Sequence, residues 1–124
     1  MKILLVEDEL LWQQGVTQLV GLVTGSEMVA VVDNYDDAVT AYKQHQPDVV
    51  LLDWNLPGDK DGIDVGKYLI EQGHSPDCML LVSGANPEDI PPIPYRHIPK
   101  SVMSGQLIQA LQDILAILSS RSSG

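Results

Sequence analysis

At 124 residues the chain is long enough to bury one hydrophobic core and too short for two ordinary domains. Seventeen acidic against seven basic residues give a formal charge of -10, which argues against direct contact with nucleic acid or an anionic membrane and favours basic partner surfaces. The lone Cys78 excludes an internal disulfide, and no charged-then-apolar leader or apolar span of about 20 residues is read, so a soluble, cytoplasmic protein with Cys78 packed as a small apolar residue is expected.

Along the chain, short apolar runs alternate with segments of helical period. "KILLV", Lys2 to Val6, reads as a first strand. From Leu11 to Val23 the residues Trp12, Val16, Leu19, Val20 and Val23 fall on one helical face, and Gly25 closes the segment. Met28 to Val32 is a second, continuously apolar strand. Asp33 or Asn34 can cap a helix carrying Tyr35, Ala38, Val39 and Tyr42, with Pro47 beyond its end. Val49 to Asp53 is a third strand. A helix from about Ile63 to Gln72 is closed by Gly73, and "CMLLV" from Cys78 to Val82 gives a fourth strand. A shorter, more polar fifth strand lies near Tyr95 to Ile98. The last helix carries Leu107, Leu111, Ile114, Leu115 and Leu118 on one stripe, with Ser104 as N-cap, and residues 119–124 read as a flexible tail after a domain of residues 1–118.

Strands alternating with helices imply a doubly wound, five-stranded parallel sheet, in which ligands gather beyond the carboxyl ends of the strands. The first strand runs into Glu7-Asp8-Glu9, the third ends on Asp53, the fourth runs into Ser83 and the fifth is followed by Lys100. Carboxylate, hydroxyl and ammonium groups therefore meet on one rim. Clustered carboxylates repel one another and call for a cation, and a hard divalent ion such as magnesium takes oxygen ligands together with phosphoryl oxygens. Ser83 can hydrogen-bond a phosphoryl oxygen, Lys100 can neutralise one, and a carboxylate in such a site can itself be a phosphoryl acceptor. Taken singly, each group has a plainer reading: Glu7, Asp8 and Glu9 as charges at a helix N-terminus, Ser83 as a turn residue, Lys100 as a solvated one.

The motifs "ILLVEDE", "VVLLDWNLPGDKDG", "LLVSG" and "IPK", in this order, resemble the receiver domain of two-component response regulators, a flavodoxin-like fold, over essentially the whole chain. The resemblance implies that Asp53 is the phosphoacceptor and that Glu7, Asp8 and Asp53 hold Mg2+ together with the backbone carbonyl of Asn55. It also implies that Ser83 and Lys100 bind the phosphoryl group. The implied phosphodonor is a histidine kinase or a histidine phosphotransfer protein, and the implied output is a downstream protein partner. Other classes compatible with the residues are a phosphate-independent pseudo-receiver docking module and a magnesium-dependent phosphohydrolase. The second lacks a clear base at Asn55 or Ala85.

Two departures from the family pattern stand out. Between Ser83 and Lys100, Pro91, Pro92 and Pro94 forbid a regular helix, so the fourth helix is expected to be shortened or missing, with one turn from Asn86 and Pro87 through Ile90. His97 stands three residues before Lys100, where the family usually carries an aromatic switch residue. Tyr95, on the same side of the strand, is the other candidate for that role. Without a fourth helix to cover the flank of the last helix, Ala110, Ile114 and Ile117, with Ile90 and Ile93, are expected to form a partner or homodimer patch.

Overall fold

The computed structural model describes residues 1–122, and in it β1 (Lys2–Val6), β2 (Glu27–Val32), β3 (Val49–Leu52), β4 (Met79–Ser83) and β5 (Arg96–Pro99) form one sheet. Every ladder is parallel and the strand order is β2-β1-β3-β4-β5, the doubly wound, flavodoxin-like arrangement expected. Between the strands run α1 (Leu10–Gly21), α2 (Tyr35–His45) and α3 (Gly62–Glu71), and α4 (Met103–Ser122) follows β5.

The core is split by the sheet because successive strand residues face opposite sides. Ile3 and Leu5 of β1 and Val49 and Leu51 of β3 join Val16 and Val20 of α1 and Leu107, Leu111 and Ile114 of α4. Leu4, Val6, Val50 and Leu52 join Ala38 and Ala41 of α2 and Val65 and Leu69 of α3. With helices on both faces, all four residues of β3 are 0% exposed, which is why the strand reads as an unbroken apolar run. Each such side chain contributes roughly 1.5–3 kcal/mol when fully buried.

The helix ends follow local chemistry. Asn34 caps α2, its side chain accepting from the Asp37 amide at 2.9 Å, and Gln46 leaves the helix in the left-handed conformation (φ 47) just before Pro47. Asp61 and Asp64 form a reciprocal capping box at the start of α3, and Gly73 (φ 93) closes it. Cys78 is buried, at the end of a 3-10 turn (Pro76–Cys78) and just outside β4.

Several expectations need correction. α1 ends at Gly21, short of Val23. Ser104 is not an N-cap, because the chain leaves β5 through a 3-10 turn (Lys100–Val102) that merges directly into α4, so Ser104 lies inside its first turn. Residues 119–122 are helical rather than a flexible tail: Leu118 packs on the core and Arg121 reaches Asp77 at 3.6 Å. Ser123 and Gly124, the rest of that expected tail, lie outside the described residues. Lys100–Arg121 is long and apolar enough by length and composition alone to cross a membrane, and its residues Met103, Leu107, Ala110, Leu111 and Ile114 are buried in the core layer with α1.

The fourth helix of the receiver pattern is absent, and the segment between β4 and β5 holds only a 3-10 turn, Pro87–Asp89. The apolar patch drawn from that absence is not assembled as expected. Ala110 and Ile114 are buried in the α1/α4 layer, while Ile90 and Ile93 pack against the opposite layer. Ile117 alone of the five is exposed, at 37%.

Candidate phosphoacceptor site

Register builds the site. Val6 pairs with Leu52, so the next residues, Glu7 and Asp53, emerge side by side from the two central strands. The Asp53 amide still donates to Val6 O and the Glu7 amide to Val32 O, both at 2.9 Å, so both backbones are fixed up to the point where the carboxylates begin. Behind Asp53 the chain turns tightly: the Gly62 amide donates to Trp54 O at 2.8 Å, and a Cβ on Gly62 would sit 1.7 Å from Asp53 O. Only glycine fits there, because the obstruction is backbone. Trp54, half-buried, donates its indole N–H to Asp61 Oδ2 at 3.1 Å, which ties the loop after Asp53 to the cap of α3.

Glu7 and Asp53 are buried and Asp8 is exposed, and carboxylate oxygens from the three lie within 4.8 Å of one another. Lys100 enters from the end of β5: its Nζ is 3.3 Å from Glu7 Oε2 and 3.6 Å from Asp53 Oδ1. One ammonium thus faces two buried carboxylates. Burial, and then the charge of Asp53, raises Glu7 to about 7, with Lys100 opposing the shift. Burial also raises Asp53 above the ordinary carboxylate range, again opposed chiefly by Lys100. At neutral pH the pair is short of positive charge, the condition a divalent cation relieves. An all-carboxylate donor set suits a hard, oxygen-seeking ion.

The remaining expected residues take separate places. Ser83 ends β4, fully buried, and its Oγ accepts from the Ala85 amide at 3.1 Å, which leaves the hydroxyl proton available to donate. Asn55 lies in the exposed loop two residues past Asp53. On β5, His97 is partly buried with its Nε2 unpartnered, and Tyr95, immediately before the strand, is buried with its hydroxyl unpartnered. Burial, aided by the Asp61 charge, lifts the Tyr95 phenol to about 12. Tyr95 leans on α3, where a Cβ on Gly66 would lie 2.4 Å from its hydroxyl oxygen. The structure therefore brings Glu7, Asp8, Asp53 and Lys100 into one cluster and sets Tyr95 against a helix.

Sequence reasoning missed three residues. Gly62 was visible only as the second half of a turn-like "DG", Gly66 as a glycine inside a helix, and Trp12 as one apolar position among five. Trp12 in fact stacks on the site: Lys100 Nζ lies 4.8 Å from the centroid of its ring.

Comparison with known proteins bears on the family and the fold. Residues 3–93 match the response regulator receiver domain family, the match ending within the proline segment. A nitrate/nitrite response regulator protein homolog from Haemophilus influenzae is 33% identical over 90 residues, covering 73% of this chain and 43% of the relative. Response regulator GacA from Pseudomonas aeruginosa is 27% identical over 123 residues, covering 93% and 55%. The chain thus spans about half the length of the curated relatives it matches. Among solved structures, the response regulatory domain of protein mrkE from Klebsiella pneumoniae superposes with a TM-score of 0.82 at 22% identity, covering 97% of this chain and 99% of that one, and so agrees in fold through β5 and α4. With acids at the ends of the two central strands, a lysine after the fifth and this family match over most of its length, the chain belongs to the receiver domains of two-component response regulators.

Proposed function

We propose that the protein is a phosphorylation-dependent signalling switch of a two-component phosphorelay, with Asp53 as the phosphoacceptor. The observation that carries this reading is the buried Glu7 and Asp53 pair held around Lys100, with Asp8 at its rim. Glu7, Asp8 and Asp53, with the Asn55 backbone carbonyl, would hold Mg2+, which when bound offsets the carboxylate charge and that of an incoming phosphoryl group.

An Asp53 carboxylate oxygen attacks the phosphorus of a phosphohistidine on a kinase or histidine phosphotransfer protein. The phosphorus–nitrogen bond breaks, and the departing imidazole keeps the bonding pair and takes up a proton. Lys100, already 3.6 Å from Asp53, turns its ammonium to a phosphoryl oxygen, and the free Ser83 hydroxyl proton donates to another. Withdrawing Lys100 from Glu7 disturbs the turn that joins β5 to α4. His97, whose Nε2 has no partner, and Tyr95, whose hydroxyl has none, are the two candidates for the switch role.

With no fourth helix, output to a downstream protein passes through an atypical face of β5, the proline segment and α4. Self-association through α4 would draw on Ile117 and its exposed neighbours, since Ala110 and Ile114 are buried. Slow loss of the phosphoryl group to water resets the switch.

The test is phosphorylation by a small phosphodonor in the presence of Mg2+. One acid-labile phosphoryl group should appear by intact-protein mass spectrometry and vanish in Asp53→Asn. Equal modification of that variant would show that another residue is the acceptor.

A further inference from the structure

We propose that Trp12 is a positioning residue for phosphoryl transfer, its indole face holding the Lys100 ammonium and setting how readily that ammonium passes to a phosphoryl group on Asp53. The inference builds on the assignment of Asp53 as acceptor. A cation within about 6 Å of an aromatic face is attracted by the ring quadrupole, and the attraction grows as water is excluded. Lys100 Nζ lies 4.8 Å from the Trp12 ring centroid, and its side chain is only 10% exposed.

The ring is held in place. Trp12 packs partly buried on the α1/α4 layer of the core, and Gln13, the next residue, donates its side-chain Nε2 to Glu7 O at 2.7 Å. The first turn of α1 is therefore tied to the acidic loop, and Trp12 moves with Glu7 rather than with β5. The three groups around the ammonium divide the work. Glu7 and Asp53 draw it by charge at 3.3 and 3.6 Å, and Trp12 supports it from a third direction without adding a negative charge. A fourth carboxylate there would add further repulsion to the burial that already raises Glu7 and Asp53. A leucine would satisfy the same helical period but could not hold a cation. Lys100 also begins the turn into α4, so the strength of its resting contacts bears on the coupling of Asp53 to that helix.

The protein has two tryptophans, so Trp54→Phe leaves Trp12 as the only indole emitter. In that background, without any phosphodonor, Lys100→Met should change the intensity and lifetime of Trp12 emission. Superimposable decays would overturn the contact. In the wild-type background, with acetyl phosphate and Mg2+, Trp12→Leu should alter the rate of Asp53 phosphorylation or the half-life of the product by roughly 3- to 10-fold. Trp12→Phe, which keeps an aromatic face, should recover most of that change. A Leu variant with wild-type rate and half-life, or a loss that Phe does not recover, would reduce Trp12 to packing and sink the proposal. If the wild-type protein itself takes up no phosphoryl group, the Asp53 reading fails, and the emission comparison still decides whether Trp12 holds Lys100.

Discussion

At the scale of single residues, Glu7 carries the largest electrostatic cost. Its pKa is 4.5 for an unperturbed group and about 7 in the fold, so the folded state binds the extra proton between those values. Stability of the metal-free protein is therefore highest below about pH 4.5 with respect to this group and falls by about 3 kcal/mol as pH rises through 7, once Glu7 is ionised in both states. Urea unfolding in the presence of a chelator should show this decline, Glu7→Gln should flatten it, and Mg2+ at pH 8 should restore stability to the wild type, rising with the logarithm of its concentration above the dissociation constant. Gly62 sets a steric limit instead. Its Cβ would meet backbone at 1.7 Å, whereas that of Gly66 would meet the tip of Tyr95 at 2.4 Å. Gly62→Ala should thus cost about 3 kcal/mol or more, and Gly66→Ala less, because a side chain can swing where a carbonyl cannot. Denaturant midpoints compare the two directly. Glu7, Asp8 and Asp53 were legible in the sequence because they follow apolar strands, and Lys100 because it follows the shorter fifth strand, and strand ends converge. The contact of Trp12 with Lys100 was not, since helical period assigns a residue to a face without saying what else that face touches.

At the scale of elements, the strands were read within a residue or two because both faces of the sheet are covered and the apolar runs are unbroken. Prolines made the loss of the fourth helix equally plain. The errors fell where composition and packing disagree. "SSRSS" has the composition of a linker, but the helix before it is anchored by Leu118 on the core, and continuing it costs little. The breadth of the apolar stripe on α4 was correctly seen and wrongly interpreted, because the sheet and α1 cover more of it than a single contact line would. Two substitutions separate the covered part from the open part. Ile114→Glu, at a site 4% exposed, should cost several kcal/mol, about 3 or more, while Ile117→Glu, at 37%, should stay within about 1 kcal/mol of the wild type in thermal melts. If copies of the chain associate through α4, sedimentation should show the second variant folded and dissociated.

At the scale of the whole molecule, a net charge of -10 repels polyanions, and the doubly wound topology gathers Glu7, Asp8 and Asp53 at one end of the central strands. One edge of the sheet is β5, which among the described residues pairs only with β4. It is four residues long, begins with the exposed Arg96 and ends on Pro99, which has no N–H to offer a neighbour, and Pro94 stands just ahead of it. These are devices that discourage strand-by-strand association at an open edge. Replacing both ends in Arg96→Val/Pro99→Thr should raise light scattering on partial heating, and unchanged scattering would show that the edge is guarded in some other way. Pro94, one of the prolines that remove a helix, therefore also stands ahead of an edge strand that resists sheet extension, an arrangement that favours contact with this side of the molecule through side chains over the addition of a further strand.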